Sequence, residues 1–270
     1  MSKEDLDAAI NLIAAVNAGV VQAIARRGYE HIVASSSPAI PAVTGAVTRF
    51  CVVLTSAMYI PSSFAERDVA TLFAFIEAHP LATLVTTSPT DGLIATHLPL
   101  VLDRNDGPTG VLRGHLARAN PHARVFANDV TSALVMFLGP DAYVTPTWYH
   151  TKKETGRVVP TWNYVAVHAY CTLRTFDDPH DLRPHLERLT HEHESGRPDP
   201  WHVDDAPEDY LVTQMKAIVG VRLDIDRLEG KWKMSQNRSE ADVSGVIHGL
   251  SMSDNPRDRQ VAQIVDERSA

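Results

Sequence analysis

Residues Lys231 to Arg238 read KWKMSQNR. Along an extended strand Lys231, Lys233, Ser235 and Asn237 face one way, and Trp232, Met234, Gln236 and Arg238 the other. One face then carries two ammonium groups, a hydroxyl and an amide, a set that can saturate the acceptor oxygens of an anion. The plain alternative is a surface strand that happens to carry lysines. A second stretch, Asp141 to Tyr164, holds two of the four tryptophans and three of the seven tyrosines, with Pro-Thr-Trp triplets at 146–148 and 160–162. Between the triplets lies a basic segment, His150 to Arg157, in which Lys152 and Lys153 are adjacent. Planar aromatics beside cations and hydroxyls suit an aromatic anion such as a flavin phosphate. Core filling would explain one tryptophan, but not a doubled triplet beside Lys152, Lys153, His150 and His168. A third stretch, Gly114 to His122, packs two histidines, Arg118 and Asn120 into nine positions after a strand. Its arginine offers a planar fork of donors suited to phosphate, though a solvated turn would look similar.

Other chemistries find less support. His191-Glu192-His193-Glu194 lacks the i, i+3 or i+4 spacing that brings ligands to one helix face, so a solvated face is the better account and no metal is expected. There is no GxGxxG after a strand, no Walker loop and no GxSxG elbow. With 270 residues, 44% hydrophobic and 21% charged, the composition is that of an ordinary globular chain. A formal net charge of -8 gives no electrostatic footprint for binding duplex DNA. Cys51 and Cys171 show neither CxxC nor metal-ligand spacing, which fits a reduced, cytoplasmic setting. No apolar run reaches membrane-spanning length, and the acidic N-terminus does not read as a signal peptide.

The elements that must position these groups follow from periodicity and punctuation. Residues 5–27 predict a helix with Gly28 as its stop, and 34–49 a small-residue linker. No function is placed before Met58. A helix over 67–79 ends at His79-Pro80, and strands follow at 81–87, 93–102, 111–117, 132–139, 143–149 and 163–176, with Asp91-Gly92 as a hairpin turn. The segment 141–164 predicts two strands joined by a mobile basic loop. Helices at 181–194 and 206–215, a strand at 217–228, and helices at 240–250 and 256–267 close the chain, the last capped by Asn255. Short strands at regular spacing with little helix between them predict an antiparallel barrel.

From Met58 onward the chain resembles the PaiB-like family of FMN-binding negative transcriptional regulators. The resemblance rests on MYIPSSF at the start, THLPL at 96–100, GHLARANP at 114–121, AYVTPTWY at 142–149, VPTWNYVAVH at 159–168 and KWKMSQNR with ADVSGVI at 231–247. It implies an α+β, mainly antiparallel FMN-binding split β-barrel over 58–270 with peripheral helices, residues 1–57 being an N-terminal helical extension and linker outside the match. It also implies a homodimer with FMN across the subunit interface. Carried over by motif, His115, Arg118, Lys152, Lys233, Ser235, Gln236 and Arg238 are phosphate candidates. Trp148, Tyr149, Trp162 and Asn163 are candidates for packing against or hydrogen-bonding the isoalloxazine. Thr145 stands where the family leads one to expect Ser, and keeps the hydroxyl. The family name implies negative regulation of transcription, with DNA as a partner by resemblance but not by charge. The alternative is a flavin-dependent oxidoreductase or haem-handling barrel, with histidines at 97, 115, 122, 150 and 168 available to iron or protons.

Overall fold

A computed structural model describes residues 58–88, 90–125 and 130–269. The predicted helix over 5–27 and the linker over 34–49 lie outside the described residues. The first regular elements are the short strand β1 (Ala65–Glu66) and helix α1 (Val69–Ala78). Asp68 caps α1 by accepting a hydrogen bond from the Thr71 amide at 2.9 Å. The helix stops at His79 because Pro80 disfavours helical backbone in the residue before it.

Strands β2 (Leu81–Ser88) and β3 (Gly92–Pro99) form the predicted hairpin, and Gly92 takes the positive φ of 77° that the tight turn requires. The predicted strand over 93–102 breaks at Leu100, and β4 (Val101–Asp103) pairs instead with β5 (Val111–Ala117). After the short helix α2 (Pro121–Val125), β6 (Thr131–Val144) absorbs both the fourth predicted strand and the start of the fifth. The first Pro-Thr-Trp triplet is not strand but a 3-10 turn, Pro146–Trp148, followed by the short helix α3 (Thr151–Glu154). The second triplet leads into β7 (Thr161–Phe176). Helices α4 (Pro179–Glu194) and α5 (Glu208–Lys216) precede β8 (Ile218–Lys233), and α6 (Glu240–Ser251) and α7 (Pro256–Glu267) finish the chain. Asn255 caps α7 as predicted, accepting from the Arg257 amide at 3.1 Å.

Among the described residues one sheet contains all eight strands, every pair antiparallel, in the order β3-β2-β6-β7-β8-β5-β4 with β1 on β8. Its two end strands, β3 and β4, are consecutive in the chain with only Leu100 between them. The ends of the sheet therefore have to meet, and the sheet curls into a split barrel. The interior face is apolar: Leu84, Leu112, Val135, Phe137, Leu173 and Leu223 are fully buried. At about 1.5–3 kcal/mol for each large side chain removed from water, this face drives closure. The outward face of β2, β6, β7 and β8 carries Leu81, Leu138, Tyr164, Lys231 and Lys233, and it positions the site described next.

Candidate functional site

The end of β8 is where the sequence motifs converge. Tyr164 lies opposite Lys233 in the ladder and Tyr143 opposite Trp162, so the two Pro-Thr-Trp segments and KWKMSQNR meet there. The alternation expected along KWKMSQNR stops at Lys233. Ser235 adopts a left-handed φ of 67°, which reverses the chain and buries Met234 and Ser235 together. Gln236 braces this turn with both ends of its amide. It accepts from the Met234 amide at 2.7 Å and donates to the Trp232 carbonyl at 2.6 Å. Asn163, fully buried, donates to the Ser235 hydroxyl at 3.0 Å and accepts from it at 3.2 Å. Asn163, Ser235 and Gln236 thus hold the turn, their polar atoms occupied within the protein.

What the turn presents is positive charge. Lys233 donates to the Thr161 hydroxyl and the Trp162 carbonyl, and Lys231 to the Tyr59 carbonyl at 2.8 Å. No carboxylate among the described residues forms an ion pair with either lysine. The Lys231 ammonium sits 5.2 Å from the Tyr164 ring centre and 5.6 Å from that of Tyr59. Burial, then the neighbouring charges of Lys231 and Arg238, hold the Lys233 ammonium below its ordinary pKa. Arg238 stacks over the Tyr149 ring at 4.7 Å and faces Asp242. Among the described residues Lys231, Lys233 and Arg238 form no ion pair, although Arg238 faces Asp242, and this leaves a surplus of cations that an anionic ligand would neutralise. Trp162 and Tyr143, about half exposed, meet edge to face at 6.0 Å and supply an open aromatic wall.

The remaining candidates of the 141–164 stretch have structural roles as well. Trp148 packs on α6, where Gly245 and Gly249 leave room for it. Tyr149 is buried beneath Arg238. Thr145 caps the 3-10 turn by accepting from the Thr147 amide, and Lys152 reaches the Thr147 hydroxyl at 3.4 Å while remaining exposed. Asp242 on α6 fastens α3 to the fold, accepting from the Thr151 amide at 2.9 Å and the Thr151 hydroxyl at 2.8 Å. Burial opposes the Asp242 charge, but these bonds outweigh it and hold its carboxyl below the usual range. Asp242→Ala is expected to cost about 1–3 kcal/mol and to release the 150–157 segment. Limited proteolysis after Lys152 or Lys153 measures that release.

His115 and Arg118 are not brought to this place within one chain. His115 pairs with Gly220 near the start of β8, thirteen residues before Lys233, or about 40 Å of strand at 3.3 Å per residue. Its Nδ1 lies 3.1 Å from Nε2 of the buried His185, one ring donating and the other accepting. Arg118 is spent on the Lys216 and Ile218 carbonyls, at 3.1 and 2.9 Å, and faces Asp177. In this chain Arg118 holds the start of β8, and His115 ties β5 to α4. Residues absent from the motif-derived candidates but present at the site are Lys231, Tyr143, Thr161, Tyr164 and Asp242. Of these, Lys231 was signalled by its two-residue spacing from Lys233. The others depend on ladder register and helix docking, which spacing alone does not reveal.

A family model described as a "putative FMN-binding domain" matches residues 58–227. An uncharacterized protein of Emericella nidulans is 38% identical over 244 residues, covering 78% of this chain and 97% of that protein. The Bacillus subtilis protein called protease synthase and sporulation protein PAI 2 is 33% identical over 211 residues, covering 78% of this chain and 98% of its own length. Among solved structures, a FAD- and haem-binding protein from Mycobacterium smegmatis aligns at 16% identity and TM-score 0.46, covering 67% of this chain and 78% of that one.

Proposed function

We propose, since this chain belongs to the PaiB-like family of FMN-binding domains, that it is an FMN-dependent negative regulator of transcription working as a homodimer with flavin at the subunit interface. Its cofactor is FMN. The observation that carries the placement is the surplus of positive charge at Lys231, Lys233 and Arg238 beside the open wall of Trp162 and Tyr143. Lys233 and Arg238 would hold the phosphate as charge-assisted donors, with Lys152 closing from α3. Trp162 would cover the ring system and Thr161 would orient Lys233. Bound FMN supplies one- or two-electron redox chemistry, and the residues here bind and orient it.

The dimer reading is supported by the outward face itself. Leu81 and Leu138, 69% and 65% exposed, lie on the same face as Lys231 and Lys233, so a second copy covering them would also cover the flavin. Sedimentation of the FMN-loaded protein should give twice the chain mass, and a monomer at micromolar concentration would rule the interface out. The net charge of -8 argues that regulation runs through a protein partner or the redox state of the flavin rather than through duplex contact. The same acidity favours a second reading, a flavin-dependent oxidoreductase without direct DNA binding. The two separate on turnover. Sustained NAD(P)H consumption with an external acceptor identifies the oxidoreductase, whereas stoichiometric bleaching with a change in partner binding identifies the regulator.

A further inference from the structure

Far from the lysine turn, three arginines stand side by side on adjacent strands. Arg113 of β5 is directly opposite Arg222 of β8, and Arg222 directly opposite Arg174 of β7. Like charges facing each other across strands destabilise a sheet, so a row of three needs compensation. Two carboxylates supply part of it. Asp106 accepts from both Arg113 and Arg222, and Asp224 from both Arg222 and Arg174. All three nitrogens of Arg222 are engaged, its Nε donating to Asp224 at 2.8 Å and its terminal nitrogens to Asp106 at 2.6 and 3.0 Å. Arg113 and Arg174 each use one terminal nitrogen, which leaves donors on both forks and one unbalanced positive charge in the row.

These forks line a cavity of about 560 Å³ between the outward sheet face and α4. From α4 the cavity receives His180 and Arg188, and Phe176 at the end of β7 gives it an aromatic surface. Arg188 is engaged by Asp103 at 2.9 Å and by the Leu102 carbonyl at 2.7 Å, so it adds field more than free donors. Among the described residues Asp181 is the one carboxylate in the lining. The volume is that of a metabolite site, and guanidinium forks match phosphate and carboxylate geometry. We propose that this cavity binds a small organic oxyanion of at least two charges, held by Arg113 and Arg174 with its body against Phe176. Arg222 lies eleven residues from Lys233 along β8, so this ligand is separate from the flavin and does not rest on its placement.

The test is calorimetric titration of the full FMN-loaded chain with pyrophosphate and, separately, citrate, at constant ionic strength. Saturable binding of either is expected, the stronger of the two naming phosphate or carboxylate as the natural group. Arg174→Gln, at a half-exposed position, should weaken it at least about tenfold, with Arg174→Lys intermediate because charge stays and the fork goes. Flavin absorbance near 450 nm should be unchanged in both variants (an approximate position for bound flavin). No saturable heat with either probe, or equal affinity in wild type and Arg174→Gln, overturns the proposal. Loss of flavin together with probe binding overturns it too, since the cavity would then be the flavin's own.

Discussion

Gly245→Ala should destabilise the protein by about 2–4 kcal/mol, although helix propensity alone predicts a gain of up to about 1 kcal/mol for this change inside α6. The two effects have opposite signs, which makes the result decisive. A Cβ at Gly245 would lie well inside 3.0 Å of the Trp148 carbonyl oxygen, a backbone atom that cannot rotate away. One turn later a Cβ at Gly249 would enter the Trp148 ring itself. The two glycines give α6 a flat strip on which the first Pro-Thr-Trp turn rests. Displacing that turn also moves Tyr149 under Arg238 and loosens Asp242 from Thr151. Chemical denaturation measures the stability loss, and near-ultraviolet dichroism reports the tryptophan. A neutral or stabilising outcome would mean that α6 does not pack on Trp148 this way.

The second large effect is acid sensitivity centred on His185. Burial, then the nearby His115, Arg113 and Arg188, push its imidazole down to about 4 from an ordinary value of 6.5. Burial lowers His115 in the same direction. A base whose folded pKa is depressed is held neutral by the fold, while the unfolded chain takes up the proton first. Its contribution is therefore complete above pH 6.5 and is lost as pH falls towards 4, by up to about 3 kcal/mol. Unfolding free energy measured between pH 7 and 4.5 should fall with decreasing pH, and in His185→Leu the slope should flatten. A wild-type curve level over that window would show that the His115–His185 pair is solvated. The consequence reaches the surface, because His185 anchors α4 over the arginine row.

Much of the barrel was legible because its signals are local. Asp91-Gly92, the break at Pro80, the Asn255 cap and the alternation of 217–228 each name a turn, a stop or a face without tertiary knowledge. The misreadings occur where tertiary context overrides the period. KWKMSQNR alternates on paper, yet the left-handed Ser235 ends the strand at Lys233 and turns Ser235 inward to Asn163. The first Pro-Thr-Trp triplet is aromatic enough for a strand, but its proline and the Thr145 cap close a 3-10 turn on the glycine strip of α6. His115 and Arg118 share a motif block with good phosphate chemistry. Only the register of β5 on β8 shows that they lie a strand length away from Lys233. The arginine row was likewise invisible, since Arg113, Arg174 and Arg222 become neighbours only through pairing.

The most direct test of the flavin placement is equilibrium binding of FMN, followed by its absorbance near 450 nm, to wild type and to the Lys233→Ala, Arg238→Ala double variant (the wavelength is approximate for bound flavin). One FMN per chain is expected for wild type and a loss of about a hundredfold in affinity for the variant, two charge-assisted bonds being worth roughly 3 kcal/mol together. Unchanged affinity in that variant, with FMN lost instead from His115→Ala, Arg118→Ala, would place the phosphate at the other end of β8 and contradict it. So would uptake of haemin with no uptake of flavin.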